Sequence, residues 1–318
     1  MVGVGVFGRN HARVYKELEQ QGEPVRLLGV VDPDVNRADA VAREFACKAF
    51  GSVQQMLTTH SEVQAASVAV PTVQHLAVAR DLMKAGVDVL VEKPLAATNA
   101  EAEELVALAA EQKRIAQAGH LERFNPAVRA TLPLLTQPMF FEVHRLSVFS
   151  PRALDVDVVL DLMIHDLDIV LTFAQSEIKE IRAVGLPILS GKVDIANVRV
   201  EFASGCVANF TASRVSTERV RKLRFFQEGQ YISIDYGRQD VLVFSVGGAG
   251  QPSVNPQIQV AKPAITAEEP LLAEIKSFLA SVRAHSKPIV SLEDGRKALA
   301  LALSILAEIG RHAGKVGV

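Results

Sequence analysis

The chain has 318 residues, 49% of them apolar, enough for two domains of ordinary size, each with its own core. Lys and Arg number 34 against 36 Asp and Glu, with no long like-charge block, which leaves no footprint for nucleic acid or an anionic membrane surface. There is no uninterrupted apolar run of about 18 residues, no secretion signal, and Cys47 and Cys206 make no disulfide framework, so a soluble cytoplasmic protein is expected.

Strand and helix patterns alternate over the first 120 residues. Residues 25–32 predict a strand and 34–46 the helix after it. A second apolar run, 65–70, stops at Pro71, and a helix follows to Gly86, a residue suited to the position past a helix end. Val87, Val89, Leu90 and Val91 carry the next strand, which stops at Glu92, Lys93 and Pro94. Thr98 and Glu101 form a capping box for a helix ending near Gln112, and residues 114–118 give one more short strand. Such alternation implies an α/β class domain, a doubly wound parallel sheet over residues 1–121.

The pattern changes after Leu121. A helix over 126–135 leads into an extended stretch, 139–149, and then an apolar helix around Asp161. Residues 197–203 and 206–213 alternate apolar and polar on either side of Ser204 and Gly205, which is a hairpin with one buried face. The β-rich region runs to residue 262 with a loop at 247–256, and helices at 268–284 and 292–312 close the chain. The second domain, 122–318, is therefore expected to be α+β around a largely antiparallel sheet, with the final helix able to pack back on the first domain.

Gly3-Val4-Gly5-Val6-Phe7-Gly8 matches G-x-G-x-x-G, with a helix expected over 9–19. Glycines at those places permit a tight turn and bring backbone N–H groups close to a pyrophosphate. Asp32 ends the next strand, where a carboxylate accepts hydrogen bonds from the adenosine ribose and repels a 2′-phosphate, favouring NAD over NADP. Arg37, one turn into the following helix, weakens that preference. A glycine-rich turn with a solvated Asp32 is the bland alternative. Only Met1 and Val2 precede the loop, where a strand normally lies. Either the natural start lies several residues upstream or a shortened strand over 1–4 suffices.

Ligands of parallel sheets bind beyond the carboxyl ends of the strands, which is where Lys93 stands. Asp161, His165 and Asp168 are spaced i, i+4, i+7 on an otherwise apolar helix and predict a polar stripe facing a cleft. Oxidising an alcohol needs a base and a positive group beside the developing alkoxide. His165 is the best base by its unperturbed pKa; Lys93 would hold the reacting oxygen, and Asp161 would orient the imidazole or bind a hydroxyl. A satisfied His–Asp structural pair is the alternative. One His with scattered carboxylates makes no zinc set, so no metal is expected, and Asp166 reads as a structural carboxylate. His75, near the start of its helix, could pack neutral beside the cofactor or act as a cap. His120, Arg123 and Asn125 follow the last parallel strand and could touch substrate or only stabilise a junction. Arg152 could meet a diphosphate or only solvent, and His11 and Arg13 fall in the first helix with solvent, domain or cofactor contacts open.

Taken jointly, residues 3–13, Pro71 and Thr72 with His75, Glu92-Lys93-Pro94, and Asp161 with His165 and Asp166 resemble the Gfo/Idh/MocA family of oxidoreductases, in order over nearly the whole chain. The resemblance implies an N-terminal Rossmann domain, a C-terminal domain with a large open sheet, and assembly as a homodimer or homotetramer through that sheet. It implies Lys93, Asp161 and His165 as the catalytic set, with Gly3, Gly5, Phe7, Gly8, Arg9, Asn10, Asp32, Arg37, Pro71, Thr72, His75, Glu92 and Lys93 on the cofactor. His120, Arg123 and Asn125, with Asp161 and His165, would bind substrate. Residues 119–126 and 155–166 resemble the branch of UDP-N-acetylglucosamine 3-dehydrogenases. The expected function is then hydride transfer between NAD and C3 of a UDP-N-acetylhexosamine. A free sugar or inositol dehydrogenase is the alternative enzyme, and a dinucleotide-sensing regulator the alternative outside enzymes. Neither nucleic acid nor membrane is an expected partner.

Overall fold

Short apolar strands separated by amphipathic helices build the first unit, Met1–Leu121 with Glu269–Leu299. The computed structural model describes residues 1–150, 156–246 and 258–316, so Arg152, Asp155 and the loop expected at 247–256 lie outside the described residues. In chain order the unit runs α1 (Val6–Gln20), β1 (Gly29–Val31), α2 (Val35–Glu44), β2 (Lys48–Phe50), α3 (Val53–Thr59), β3 (Ala65–Val68), α4 (His75–Lys84), β4 (Asp88–Glu92), α5 (Asn99–Glu111) and β5 (Ala116–Gly119). All strand pairs are parallel: β1 with β2, and β4 between β3 and β5.

Val2 joins the two parallel pieces by bridging to Val31 on one side and Val68 on the other. Its N–H donates to the Ser67 carbonyl and its own carbonyl accepts from Ala69, both at 2.8 Å. On the other side Val31 donates to Met1 and accepts from Gly3, again at 2.8 Å. The strand expected over 25–32 is formed over Gly29–Val31. A cavity of about 620 Å³ in this unit is lined by residues 23–29 and 62–67.

Asp34, Ser52 and Thr98 cap α2, α3 and α5 by accepting N–H groups of the first turn. The expected capping box at α5 is modified, because Glu101 takes the N–H of Ala97 at 2.9 Å, one residue before the cap. The helix Pro270–Ala284 belongs to this unit: Leu271, Ile275 and Leu279 bury themselves with Ala12, Val14, Tyr15 and Leu18 of α1. The C-terminal helix Leu292–Val316 contributes its residues up to Leu299 to this unit, and a Cβ on its Gly295 would stand 2.8 Å from that of Ala118. Residues 122–318 are thus divided between the two units.

The second unit, Glu122–Glu268 with Ala300–Val318, holds α6 (Pro126–Thr131), β6 (Phe140–Val148) and α7 (Ile164–Ala174). It continues with β7 (Ile178–Leu186), β8 (Ile195–Phe202), β9 (Val207–Ser216), β10 (Val220–Gln227), β11 (Gln230–Asp235), β12 (Asp240–Val246) and β13 (Ile258–Ala261). Among the described residues these strands form one sheet in the order β13-β12-β11-β10-β6-β9-β8-β7. Every pair is antiparallel except β6 with β9. The hairpin expected around Gly205 is β8–β9, with Val198, Val200, Phe202, Ala208 and Phe210 all buried and Gly205 at φ +84°. Phe173 of α7 packs on Phe141 and Phe225 at ring distances of 6.5 and 5.8 Å, which fixes the helix on one face of the sheet. Among the described residues no helix is long and apolar enough to cross a membrane.

Candidate active site

The glycine loop lies at the carboxyl ends of β1 and β3, and its three glycines serve different ends. Gly3 has φ +80°, and a Cβ there would meet the Ala69 backbone at 2.7 Å. A Cβ on Gly8 would stand 1.8 Å from the Gly3 carbonyl oxygen, so α1 can approach the loop only without one. A Cβ on Gly5 would meet nothing within 4 Å. Gly5 caps α1 with no side-chain bond, and the first turn carries no acid. The open start of α1 therefore presents backbone N–H groups to an anion, and the loop fits a dinucleotide pyrophosphate.

Asp32 is buried at the end of β1. Its Oδ2 accepts the Val4 N–H at 3.0 Å, which ties the glycine loop to the strand, and its Oδ1 accepts the Asp34 N–H at 3.0 Å. Arg37 stands 3.5 Å from both oxygens and 3.2 Å from Asp34. Arg9 is directed to Glu44 of α2, with its guanidinium 5.8 Å from the Phe45 ring. Phe7 is partly exposed and sets its edge on His11 at 5.2 Å. Asn10 is half-buried on α1.

The lysine strand is held from behind. Glu92, buried at the end of β4, bonds His11 Nε2 through Oε1 at 2.9 Å and accepts the Lys93 N–H through Oε2 at 3.2 Å. Gly119 leaves Glu92 its space, since a Cβ there would stand 2.8 Å from the carboxylate. His75 links the loops after β3 and β4: its Nδ1 faces the carbonyls of Pro94 and Leu95 at 3.0 and 3.3 Å, and its Nε2 that of Val70 at 2.9 Å. Burial pushes the His75 pKa down, against the pull of those carbonyls. Pro71 caps the short turn Thr72–Gln74 that precedes α4.

In the second unit the helix around Asp161 opens as a π turn, Val159–Met163, with the Ile164 N–H bonded to the Val159 carbonyl. Such turns are rare and often accompany functional sites. Asp161 and His165 are both half-buried. The stripe expected to run on to Asp168 stops at His165. Asp168 is buried, and Arg123 grips it with two bonds of 2.7 and 2.9 Å. Asn125 is also engaged by protein: it caps α6 at Ala127 and donates to Glu122 and to the Tyr236 carbonyl, all at 3.1 Å. His120 is buried just past β5, in the first unit.

A buried ion network that the sequence did not disclose lies beside His165. Arg145 of β6 bonds Asp166 at 2.6 and 3.0 Å and Glu122 at 3.1 Å, with its guanidinium 5.1 Å from the Tyr236 ring. Burial alone would lower the Arg145 pKa, but the two carboxylates outweigh it and raise it, so the cation is permanent. Asp166 is thus a structural carboxylate. The available signal was parity: Phe141, Val143 and Arg145 share the inner face of β6, and a charge at a core position demands a buried partner.

A family model described as the NAD-binding Rossmann fold of an oxidoreductase family matches residues 1–120, and the Gfo/Idh/MocA C-terminal domain matches 139–232. The chain belongs to the Gfo/Idh/MocA oxidoreductases. Its first unit is an NAD-binding domain of that family. Among curated members, a UDP-N-acetylglucosamine 3-dehydrogenase of Acidithiobacillus ferrooxidans is 37% identical over 306 residues, covering 96% of this chain and 95% of that one. The solved structure of that organism's GnnA, bearing the same name, superposes with a TM-score of 0.88 at 35% identity, over 97% of this chain and 96% of the other. A scyllo-inositol 2-dehydrogenase (NAD⁺) of Bacillus subtilis is 26% identical over 92% of this chain and 87% of its own. This Gfo/Idh/MocA member thus pairs a Rossmann unit with a mostly antiparallel sheet, as expected from sequence.

Proposed function

We propose that the protein oxidises the C3 hydroxyl of UDP-N-acetylglucosamine with NAD⁺. The observation that carries this reading is the 37% identity along nearly the whole of both chains to a dehydrogenase of that name. Asp32 at the end of β1 supports NAD over NADP, because a buried carboxylate beside the ribose disfavours a 2′-phosphate. Bound NAD⁺ supplies the hydride acceptor. Lys93 hydrogen-bonds the reacting oxygen and stabilises it as charge develops. His165 takes the hydroxyl proton, and Asp161 orients the imidazole or holds a neighbouring hydroxyl. The carbinol hydrogen leaves as hydride, and the product is the 3-keto sugar with NADH and one proton.

The glycine loop with Asp32, Arg37, Pro71, Thr72 and His75 is assigned to the cofactor, and His120, Arg123 and Asn125 to the substrate side. For His75, Arg123 and Asn125, whose polar atoms bond protein partners, the assigned role is to shape the site. Self-association through the sheet of the second unit is part of the proposal. Phe140, Phe226, Tyr231 and Phe244 form a ladder across β6, β10, β11 and β12, with rings 5.8, 4.9 and 5.3 Å apart, and Phe226 is 37% exposed. A cytoplasmic location accords with an NAD-dependent reaction and two free cysteines.

Initial rates of NADH formation with UDP-N-acetylglucosamine, scyllo-inositol and myo-inositol, assayed side by side, test the substrate. The second reading, an inositol dehydrogenase, is favoured by the 26% identity over most of the chain to the Bacillus subtilis enzyme. Turnover of an inositol without turnover of the UDP-sugar would replace the first reading by the second.

A further inference from the structure

Arg221, near the start of β10, stands directly opposite Arg145 of β6 in the antiparallel register. Residues so placed send their side chains to the same face, with Cβ atoms about 4.5–5.5 Å apart. That face is the one under α7, because Asp166 of α7 grips Arg145. Two carboxylates lie there, and all four of their oxygens are taken. Asp166 Oδ1 and Oδ2 and Glu122 Oε1 accept from Arg145, and Glu122 Oε2 accepts from Asn125.

Arg221 shares none of these bonds. Among the described residues its guanidinium has no ion pair or hydrogen-bond partner, and its Nε is buried without one. Burial and the neighbouring Arg145 push its pKa down and Arg219 adds to the effect, while Glu122 and Asp166, whose oxygens are already bonded elsewhere, oppose it. A half-buried cation beside a second cation is costly unless an anion completes it. The place is also close to the chemistry, since Asp166, which holds Arg145, directly follows His165.

We propose that Arg221 binds the diphosphate of the nucleotide-sugar substrate, presenting its fork of N–H donors to phosphate oxygens. This rests on the UDP-sugar reading above. Guanidinium is the side chain best matched to phosphate, and its charge needs no ligand-dependent proton uptake. With Lys93 and His165 at the sugar, Arg221 fixes the nucleotide end of the molecule, which stays attached throughout, and sets the sugar's register. Its contribution is binding, so it acts on KM more than on kcat.

The test is calorimetric titration of the NAD-bound protein with UDP, inorganic pyrophosphate and uridine, in wild type, Arg221→Gln and Arg221→Lys. Unchanged NAD affinity and melting temperature certify that the variants are folded. Arg221→Gln should weaken UDP and pyrophosphate about 10- to 100-fold while leaving uridine unchanged, the scale of a lost charge-assisted bond. Arg221→Lys should lose less than Arg221→Gln. In turnover, Arg221→Gln should raise KM for the UDP-sugar at nearly constant kcat. Equal UDP affinity in wild type and Arg221→Gln overturns the Arg221 assignment and leaves the UDP-sugar reading standing. Failure of wild type itself to bind UDP overturns both.

Discussion

His11 Nε2 lies 2.9 Å from Glu92 Oε1 in a pair closed to solvent, and the other oxygen of Glu92 receives the N–H of Lys93. The helix that follows the glycine loop is thereby bonded to the residue preceding the proposed catalytic lysine. Glu92→Ala should destabilise the protein by about 1–3 kcal/mol, the cost of leaving buried polar groups without a partner. Glu92→Gln, which keeps the shape, should melt near wild type yet turn over more slowly. Chemical denaturation and steady-state rates on the two variants separate packing from placement of Lys93.

Two of the loop glycines make opposite predictions. Gly8→Ala forces a Cβ to 1.8 Å from a carbonyl oxygen and should lower the melting temperature sharply, because backbone on both sides must move. Gly5→Ala adds a methyl group to open space and should leave the melting temperature unchanged while weakening NAD binding. Differential scanning calorimetry with and without NAD reads both effects.

Protonation of His75 opposes folding. Its folded pKa is lowered by burial, so the unfolded chain takes up a proton near the ordinary value of about 6.5 while the fold still refuses it. Stability associated with this group is therefore present above that value and is lost as pH falls below it. His75→Gln should flatten the acid side of the stability curve relative to wild type. Urea titrations between neutral and mildly acid pH, run on both proteins, give the difference.

Arg145→Met should be among the most damaging substitutions in the second unit. It strands Asp166 and Glu122 as buried carboxylates, a loss of about 3–5 kcal/mol by the behaviour of broken buried pairs. Replacing Asp166 and Glu122 as well by apolar residues should recover much of that stability. Denaturant midpoints of the single and triple variants decide whether the network is held by charge pairing or by shape.

Much of this was visible in the chain. The glycine loop, the lysine strand and the β8–β9 hairpin were legible because local signals state them directly: G-x-G-x-x-G, an apolar run ended by Glu92-Lys93-Pro94, and strict alternation around Gly205. The fate of single polar side chains was not. Asp168 continues the Asp161–His165 spacing by number, but a π turn and the reach of Arg123 take it into the core. Asn125, open in the sequence between a substrate contact and a junction residue, caps α6 with its side-chain oxygen. His11 was open between solvent, domain and cofactor contacts, and it is wholly buried against Glu92, 81 residues away. Pairings at such separations depend on which faces meet, and one strand's parity reveals the demand for a partner without naming it.

The ladder of Phe140, Phe226, Tyr231 and Phe244 gives a further check. Phe226→Glu should leave the melting temperature of the unit nearly unchanged, since the ring is partly exposed, and should reduce the mass measured by light scattering if this face joins copies of the chain.

The central claim is that Lys93 and His165 carry out NAD-dependent oxidation of UDP-N-acetylglucosamine. The most direct measurement is NADH formation from that substrate by wild type, Lys93→Ala and His165→Ala, with NAD affinity determined on each. The account predicts turnover by wild type and a fall in kcat of about 10²–10⁴ in each variant, as for loss of a general base or a charge-stabilising donor, with NAD affinity retained in His165→Ala. Variants that turn over within a few fold of wild type, or a wild type that reduces NAD⁺ with other alcohols but never with this one, would contradict it.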